Sequence, residues 1–157
     1  MVQRRFLLAG VIAFLSLFIT SQVISADVVK ERKMLMRAND KAGKALKKAV
    51  KAKDFAAIEK NAKALASQME KLPSLFPKGS TAENSRAKAA IWKKWDSFKG
   101  KAASLGEVAG MVAESAAAKD ADKVALLAKS IAGGQGASYC GSCHKSFRGP
   151  KKKKKKM

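Results

Sequence analysis

Histidine occurs once in the 157 residues, tyrosine once and cysteine twice. A closed structural zinc site takes four ligands, usually Cys or His, so a protein-only site here would have to recruit carboxylates. Aromatic residues make up only 6%, and β-branched runs are few, while Ala, Lys, Leu and Met dominate. Those side chains lose little rotamer freedom in a helix, which makes an all-α protein the expectation. Acidic residues are scarce as well, 12 against 33 lysines and arginines, for a net charge of +21. A chain so basic repels itself and seeks anions.

The longest apolar run, Phe6 to Ile19, covers about 14 residues, whereas crossing the hydrocarbon of a bilayer takes about 20. Arg4 and Arg5 precede it, and Ile24-Ser25-Ala26 closes the stretch before Asp27. A positive head, a short apolar core and a small residue at a boundary form the pattern of a secretory signal peptide. Residues 1–26 are therefore expected to be cleaved after Ala26, and the mature part to be exported to the periplasm. A retained anchor is the rival reading, and the length argues against it. Export also argues against nucleic acid as the target of the positive charge. Acidic proteins and an anionic membrane surface remain as partners, beside the plainer reading of a solvated lysine-rich surface.

Apolar spacing gives four helical segments. The first runs from about Asp27, placed as an N-cap, to Lys53, with Val28, Leu35, Ala42, Leu46 and Ala49 near one face. The second starts at Asp54, another N-cap position, and aligns Phe55, Ile58, Ala62, Leu65 and Met69 at steps of three and four. Pro73 ends it, and residues 72–84 read as a connection. The third is expected from Asn84 or Ser85 to Lys119 as one helix, despite Gly100, Gly106 and Gly110. The fourth starts near Asp120, with Val124, Leu127 and Ile131 inward. It meets a break at Gly133, Gly134 and Gly136, and resumes from Tyr139 to about Arg148. Four amphipathic helices joined mostly by short loops point to an antiparallel four-helix bundle over residues 27–148. Lys151 to Lys156 cannot fold, since six like charges repel and have nothing to bury; residues 149–157 are expected as a disordered tail.

The two cysteines lie three apart, in Cys140-Gly141-Ser142-Cys143-His144. On a helix both sulfurs fall on one face, able to reach the two vinyl groups of a haem. His144 then projects about 40° from Cys140 and can bring an imidazole nitrogen under the iron. C-x-x-C-H is the signature of covalent haem c attachment. A thioredoxin-like redox pair would need a βαβ context, and no strand pattern flanks the motif. A disulfide between positions i and i+3 of a helix is poorly placed and leaves His144 unexplained.

With one histidine, the opposite face of the iron cannot carry a second; Met, Lys or an open position remain. Met69 and Met111 fall in core stripes. Met34 and Met36 lie on the first helix and point roughly 160° apart, so they cannot both face a haem.

Val29-Lys30-Glu31-Arg32 with Met36 four residues later resembles the first helix of the class II cytochromes c, the cytochromes c′ and the low-spin cytochromes c-556. Phe76-Pro77, Ala87 through Ile91-Trp92 to Phe98, and the C-x-x-C-H-x-x-F-R run from Cys140 to Arg148 match as well. The resemblance implies a four-helix bundle with one haem c bound through Cys140, Cys143 and His144. It also implies Met36 as axial ligand opposite His144, Arg32 as partner of a haem propionate, and bundles that are often homodimers. The expected function is outer-sphere electron transfer with acidic redox partners, Met opposite His raising the potential. The alternative is a five-coordinate cytochrome c′-like protein that binds NO or CO. No nucleophile or general acid–base constellation is apparent, so the chain does not read as an enzyme.

Overall fold

With no proline before position 73 and glycine only at 10 and 43, nothing in the first fifty residues forces a helix to stop. In a computed structural model of the protein, helix α1 accordingly spans Gln3–Ala52. Asp27 is thus not where it begins: no proline or glycine stands near it to stop the helix. The structure describes the backbone of residues 3–82, 85–132 and 138–150, and the side chains of 27–82, 85–131 and 138–150. The side chains of 1–26, which carry the signal-peptide features, lie outside what is described, as do the glycine cluster 133–136 and the lysine tail.

α1 ends at a left-handed residue, Lys53 (φ 55°). The Lys53 amide donates to Val50 O at 3.2 Å and that of Asp54 to Ala49 O at 3.0 Å, the paired bonds of a Schellman cap. Asp54 then caps the next helix, its carboxylate accepting from the Ala57 amide at 3.0 Å. Helix α2 spans Phe55–Lys71 and buries Ile58, Ala62, Leu65 and Met69, the stripe expected of it. A 3-10 turn, Pro73–Leu75, follows.

The third expected helix is corrected in two ways. It starts at Ala90, because the backbone of 86–88 is committed elsewhere: Lys88 N donates to Phe147 O at 3.0 Å and Gly149 N to Arg86 O at 2.7 Å. It is also split into α3, Ala90–Lys93, and α4, Trp95–Ala117. The break falls at Lys94 (φ −126°, ψ 50°) and not at any glycine. Beside it, Trp92 Nε1 donates to the carbonyls of Phe76 and Pro77 at 3.1 and 2.9 Å, tying α3 to the preceding loop. Of the three glycines, only Gly106 has a neighbour where its Cβ would be, 3.4 Å from Met69 Cβ; it lets α2 and α4 approach.

α4 closes with the same device as α1. Lys119 is left-handed (φ 57°), and the amides of Lys119 and Asp120 bond back to Ala116 and Ser115, both at 3.0 Å. Asp120 accepts from Lys123 N at 3.0 Å and starts α5, Ala121–Ala132. α6 is Tyr139–Phe147, capped by Ser138, whose hydroxyl accepts from Gly141 N.

α1 packs on α2 and α5, and α4 packs on the same two helices, so the four form a closed bundle, antiparallel within each tightly turned pair. α6 rests on α4, α5 and α3. The core is fixed by Leu46, Ile58, Ile91, Val112 and Ile131, each under 2% exposed. One register differs from expectation on α1: Val29 is buried and Val28 only half-buried. The face is set by Arg32, three residues after Val29 and itself buried.

Candidate haem site

α6 presents the cysteine motif on a helix anchored at both ends. At its start, Ser138 holds the Gly141 amide, and the half-buried Tyr139 and Cys143 pack against the core. At its end, Phe147 is buried with its ring 5.4 Å from that of Phe98. Beyond it the chain pairs antiparallel with Ala87. Cys140 and Cys143 are both free thiols, so no disulfide competes for them. Burial pushes both thiols up; for Cys143, the charge of Lys101 partly opposes this. Lys101 Nζ lies 3.4 Å from Ser142 Oγ, between the two cysteines. His144 is solvent-facing, yet desolvation, followed by the charges of Arg148 and Arg86, lowers its proton affinity below 6.5. That shift favours the neutral imidazole, which is its metal-ligating form.

The other half of the expected site lies on α1. Arg32 is 5% exposed and is not the solvated surface charge that an exposed helix position would give. Its Nη1 donates to Ser80 O at 2.8 Å, its Nε to Leu75 O and its Nη2 to Ser80 Oγ. The guanidinium sits 4.1 Å from the centroid of Phe76 and 6.0 Å from that of Trp92. The turn that offers Ser80 depends on Gly79, whose φ of +75° suits a residue without Cβ. All of these acceptors are neutral, so the buried charge has no counter-ion among the described residues, and desolvation lowers its pKa to about 10.

The methionines separate. Met69 is in the core, and Met34 and Met111 are 51% and 41% exposed. Met36 is half-buried and packs against the core edge, one turn after Arg32. Among the described residues, no Cα of α1 comes within 8 Å of one in α6. The two halves are thus held on separate helices, both packed against the one core.

Sequence reasoning missed Leu75, Ser80 and Lys101. Leu75 and Ser80 lie 43 and 48 residues from Arg32, and Leu75 acts through a backbone carbonyl, which leaves no mark in the sequence. Phe76 and Trp92 stood out there only as points of resemblance, not as the platform of Arg32.

Residues 27–148 match the family model described as Cytochrome C′. The chain belongs to the cytochrome c′ family. It is 36% identical over 123 residues to a cytochrome c′ of Pararhodospirillum photometricum, covering 76% of this chain and 94% of that one. It is 32% identical over 126 residues to a cytochrome c-556 of Agrobacterium tumefaciens, with 79% and 98% covered. Its fold matches the nitric oxide complex of a mutant cytochrome c prime from Alcaligenes xylosoxidans with a TM-score of 0.69 at 23% identity, covering 81% and 97%. Membership makes the fold a four-helix bundle with one covalently attached haem c. Cytochromes c′ are periplasmic haem proteins that carry electrons or bind gases, and they are often homodimers. The residues present fit that group: two unlinked thiols on one helix, a neutral imidazole beside them, and a buried guanidinium lacking an anion.

Proposed function

We propose that this cytochrome c′ family protein is a periplasmic electron carrier whose haem iron is held by His144 on one side and Met36 on the other. The haem supplies a one-electron ferric–ferrous couple. Cys140 and Cys143 fix it through two thioethers, and His144 offers a neutral nitrogen. Arg32, with three of its five N–H donors engaged, keeps two for a propionate, whose charge would answer the buried cation. Met36 as ligand favours the reduced state and raises the potential. The reading is carried by one observation: Met36 is half-buried one turn after Arg32, while Met34 points to solvent. Acidic redox proteins fit the lysine-rich surface, and encounters with them should be weak and salt-sensitive. The same reading takes 1–26 as a signal peptide cleaved after Ala26 and allows a homodimer.

A second reading, five-coordinate binding of NO or CO, is favoured by the relatives that bear the name cytochrome c′ and by the nitric oxide complex of the Alcaligenes protein. Met36 stands against it. Absorption spectra of the purified protein decide between the two. A sharp ferrous α-band indifferent to CO, lost in Met36→Ala, is the expected result. A broad high-spin spectrum that shifts with CO overturns Met ligation in favour of gas binding.

A further inference from the structure

Helix α4 carries two lysines, and they point about 160° apart. Lys99 is exposed and pairs with Asp96 at 3.0 Å. Lys101 lies on the inward stripe instead, three residues after Phe98, four before Leu105 and seven before Val108, all of them buried. It is half-buried there, and its ammonium reaches across to α6, where Nζ donates to Ser142 Oγ at 3.4 Å. The proton of that hydroxyl goes to Tyr139 O at 3.2 Å, so Ser142 meets Lys101 as an acceptor. Ser142 stands in the sequence between Cys140 and Cys143, on the helix that ends its motif with His144.

No carboxylate answers this cation. Among the described residues, the ion pairs are Lys44–Asp40, Lys63–Glu59 and Lys99–Asp96. Residues 138–150 hold no acidic side chain, and neither does α3. The Ser142 hydroxyl is neutral, so Lys101 brings a whole positive charge to the side where α4 meets the motif helix. An apolar side chain would fill an inward position without any desolvation cost. What a lysine adds there is charge.

We propose that Lys101 is a potential-setting residue, a fixed cation that favours the reduced state of a haem held by Cys140, Cys143 and His144. Reduction by one electron, delivered by a redox partner protein, lowers the positive charge of that site by one unit. A nearby cation stabilises the less positive state, and partial burial protects the effect from screening by salt. Burial and the electrostatics around the ligands are among the levers a protein has on a haem. The inference rests on the haem-carrying reading and not on Met36, since it holds equally for an open sixth position.

The test is a spectroscopic redox titration of the purified haem-loaded protein and its variants, with urea unfolding on the same samples to report packing separately. Lys101→Met keeps the stem and removes the charge. At the midpoint of the parent protein, its ferric-to-ferrous ratio should rise from one to roughly three or more. That is a fall of about 30 mV or more, at about 59 mV per tenfold for one electron. Lys101→Arg keeps the charge and should restore most of the ratio. Lys99→Gln removes an exposed, paired charge and should change the ratio less than about twofold. If Lys101→Met does not fold, Lys101→Gln is read in its place. An unmoved potential overturns the proposal, and so does an equal fall in Lys99→Gln. A fall that Lys101→Arg does not reverse overturns it too, in favour of a purely structural part for Lys101. The absorption spectrum separates this inference from the function proposed above. A low-spin haem protein indifferent to CO, whose potential ignores Lys101, refutes the inference alone. A high-spin one whose potential follows Lys101 refutes Met36 ligation alone, and a chain without covalent haem overturns both.

Discussion

The guanidinium of Arg32 lies over Phe76, 4.1 Å from the ring centroid, and donates to both the carbonyl and the hydroxyl of Ser80. A helix and a loop 48 residues downstream are thereby joined through one charged side chain. Lysine cannot reproduce that fork, since it has a single nitrogen and no planar face. Arg32→Lys should destabilise the protein by about 1–3 kcal/mol, read as a lower urea midpoint. An unchanged midpoint would show that the fork contributes nothing to the fold.

The same burial makes a prediction at high pH. Burial lowers the pKa of Arg32 to about 10 in the folded chain, below its value in the unfolded chain, so between the two the unfolded chain binds more protons. The stability contributed by this residue therefore rises with pH across that window. The penalty for burying its charge is full below the folded value and lifted above the unfolded one. Urea unfolding of the haem-free protein, compared with Arg32→Gln at each pH, should show the difference moving towards the native state. If a propionate pairs with Arg32 in the haem-loaded protein, the guanidinium keeps its proton and the trend should vanish.

Met34 and Met36 provide an internal control for ligation. Met34 is 51% exposed, so Met34→Leu should leave the spectrum and the potential of the haem protein unchanged. A spectral loss equal to that of Met36→Ala would assign the ligand to the wrong methionine.

Two lysines, Lys53 and Lys119, hold the left-handed conformation that glycine occupies at no steric cost. Lys53→Gly and Lys119→Gly should each stabilise by about 0.5–1 kcal/mol, the conformational penalty of roughly 1–2 kcal/mol being partly offset by the looser unfolded chain. Thermal unfolding checks this, and a lowered midpoint in both variants would contradict it.

The glycines of α4 should divide in the same assay. Gly110 has open space where a Cβ would go, so Gly110→Ala should stabilise by about 0.5–1 kcal/mol through helix propensity. Gly106 faces Met69 Cβ at 3.4 Å and Ala66 O at 3.7 Å. Gly106→Leu should cost about 1–3 kcal/mol by forcing α2 and α4 apart.

What the sequence made legible was local. The C-x-x-C-H run sits within one helical turn, and the α2 stripe from Ile58 to Met69 repeats at helical spacing, so both were readable as they stand. The break at Lys94 was not, because no breaker residue marks it; it coincides with bonds from Trp92 to the carbonyls of Phe76 and Pro77. The late start of α3 was hidden for a similar reason. Residues 86–88 have helix-compatible side chains, and only the pairing with 147–149 diverts their backbone. The surroundings of Arg32 come from a turn far along the chain, and tertiary contacts of that kind have no local period to detect.

The two Lys-Asp turns carry a consequence for how the haem site comes together. Each closes a helical hairpin by itself, α1 with α2 and α4 with α5, without help from the other. Arg32 and Met36 belong to the first hairpin, Ser80 to the strap between them, and the cysteine motif to the extension of the second. The cofactor's proposed ligands are thus divided between two hairpins that α2 and α4 already hold together, and a haem bound to all of them would act as a second bolt across that seam.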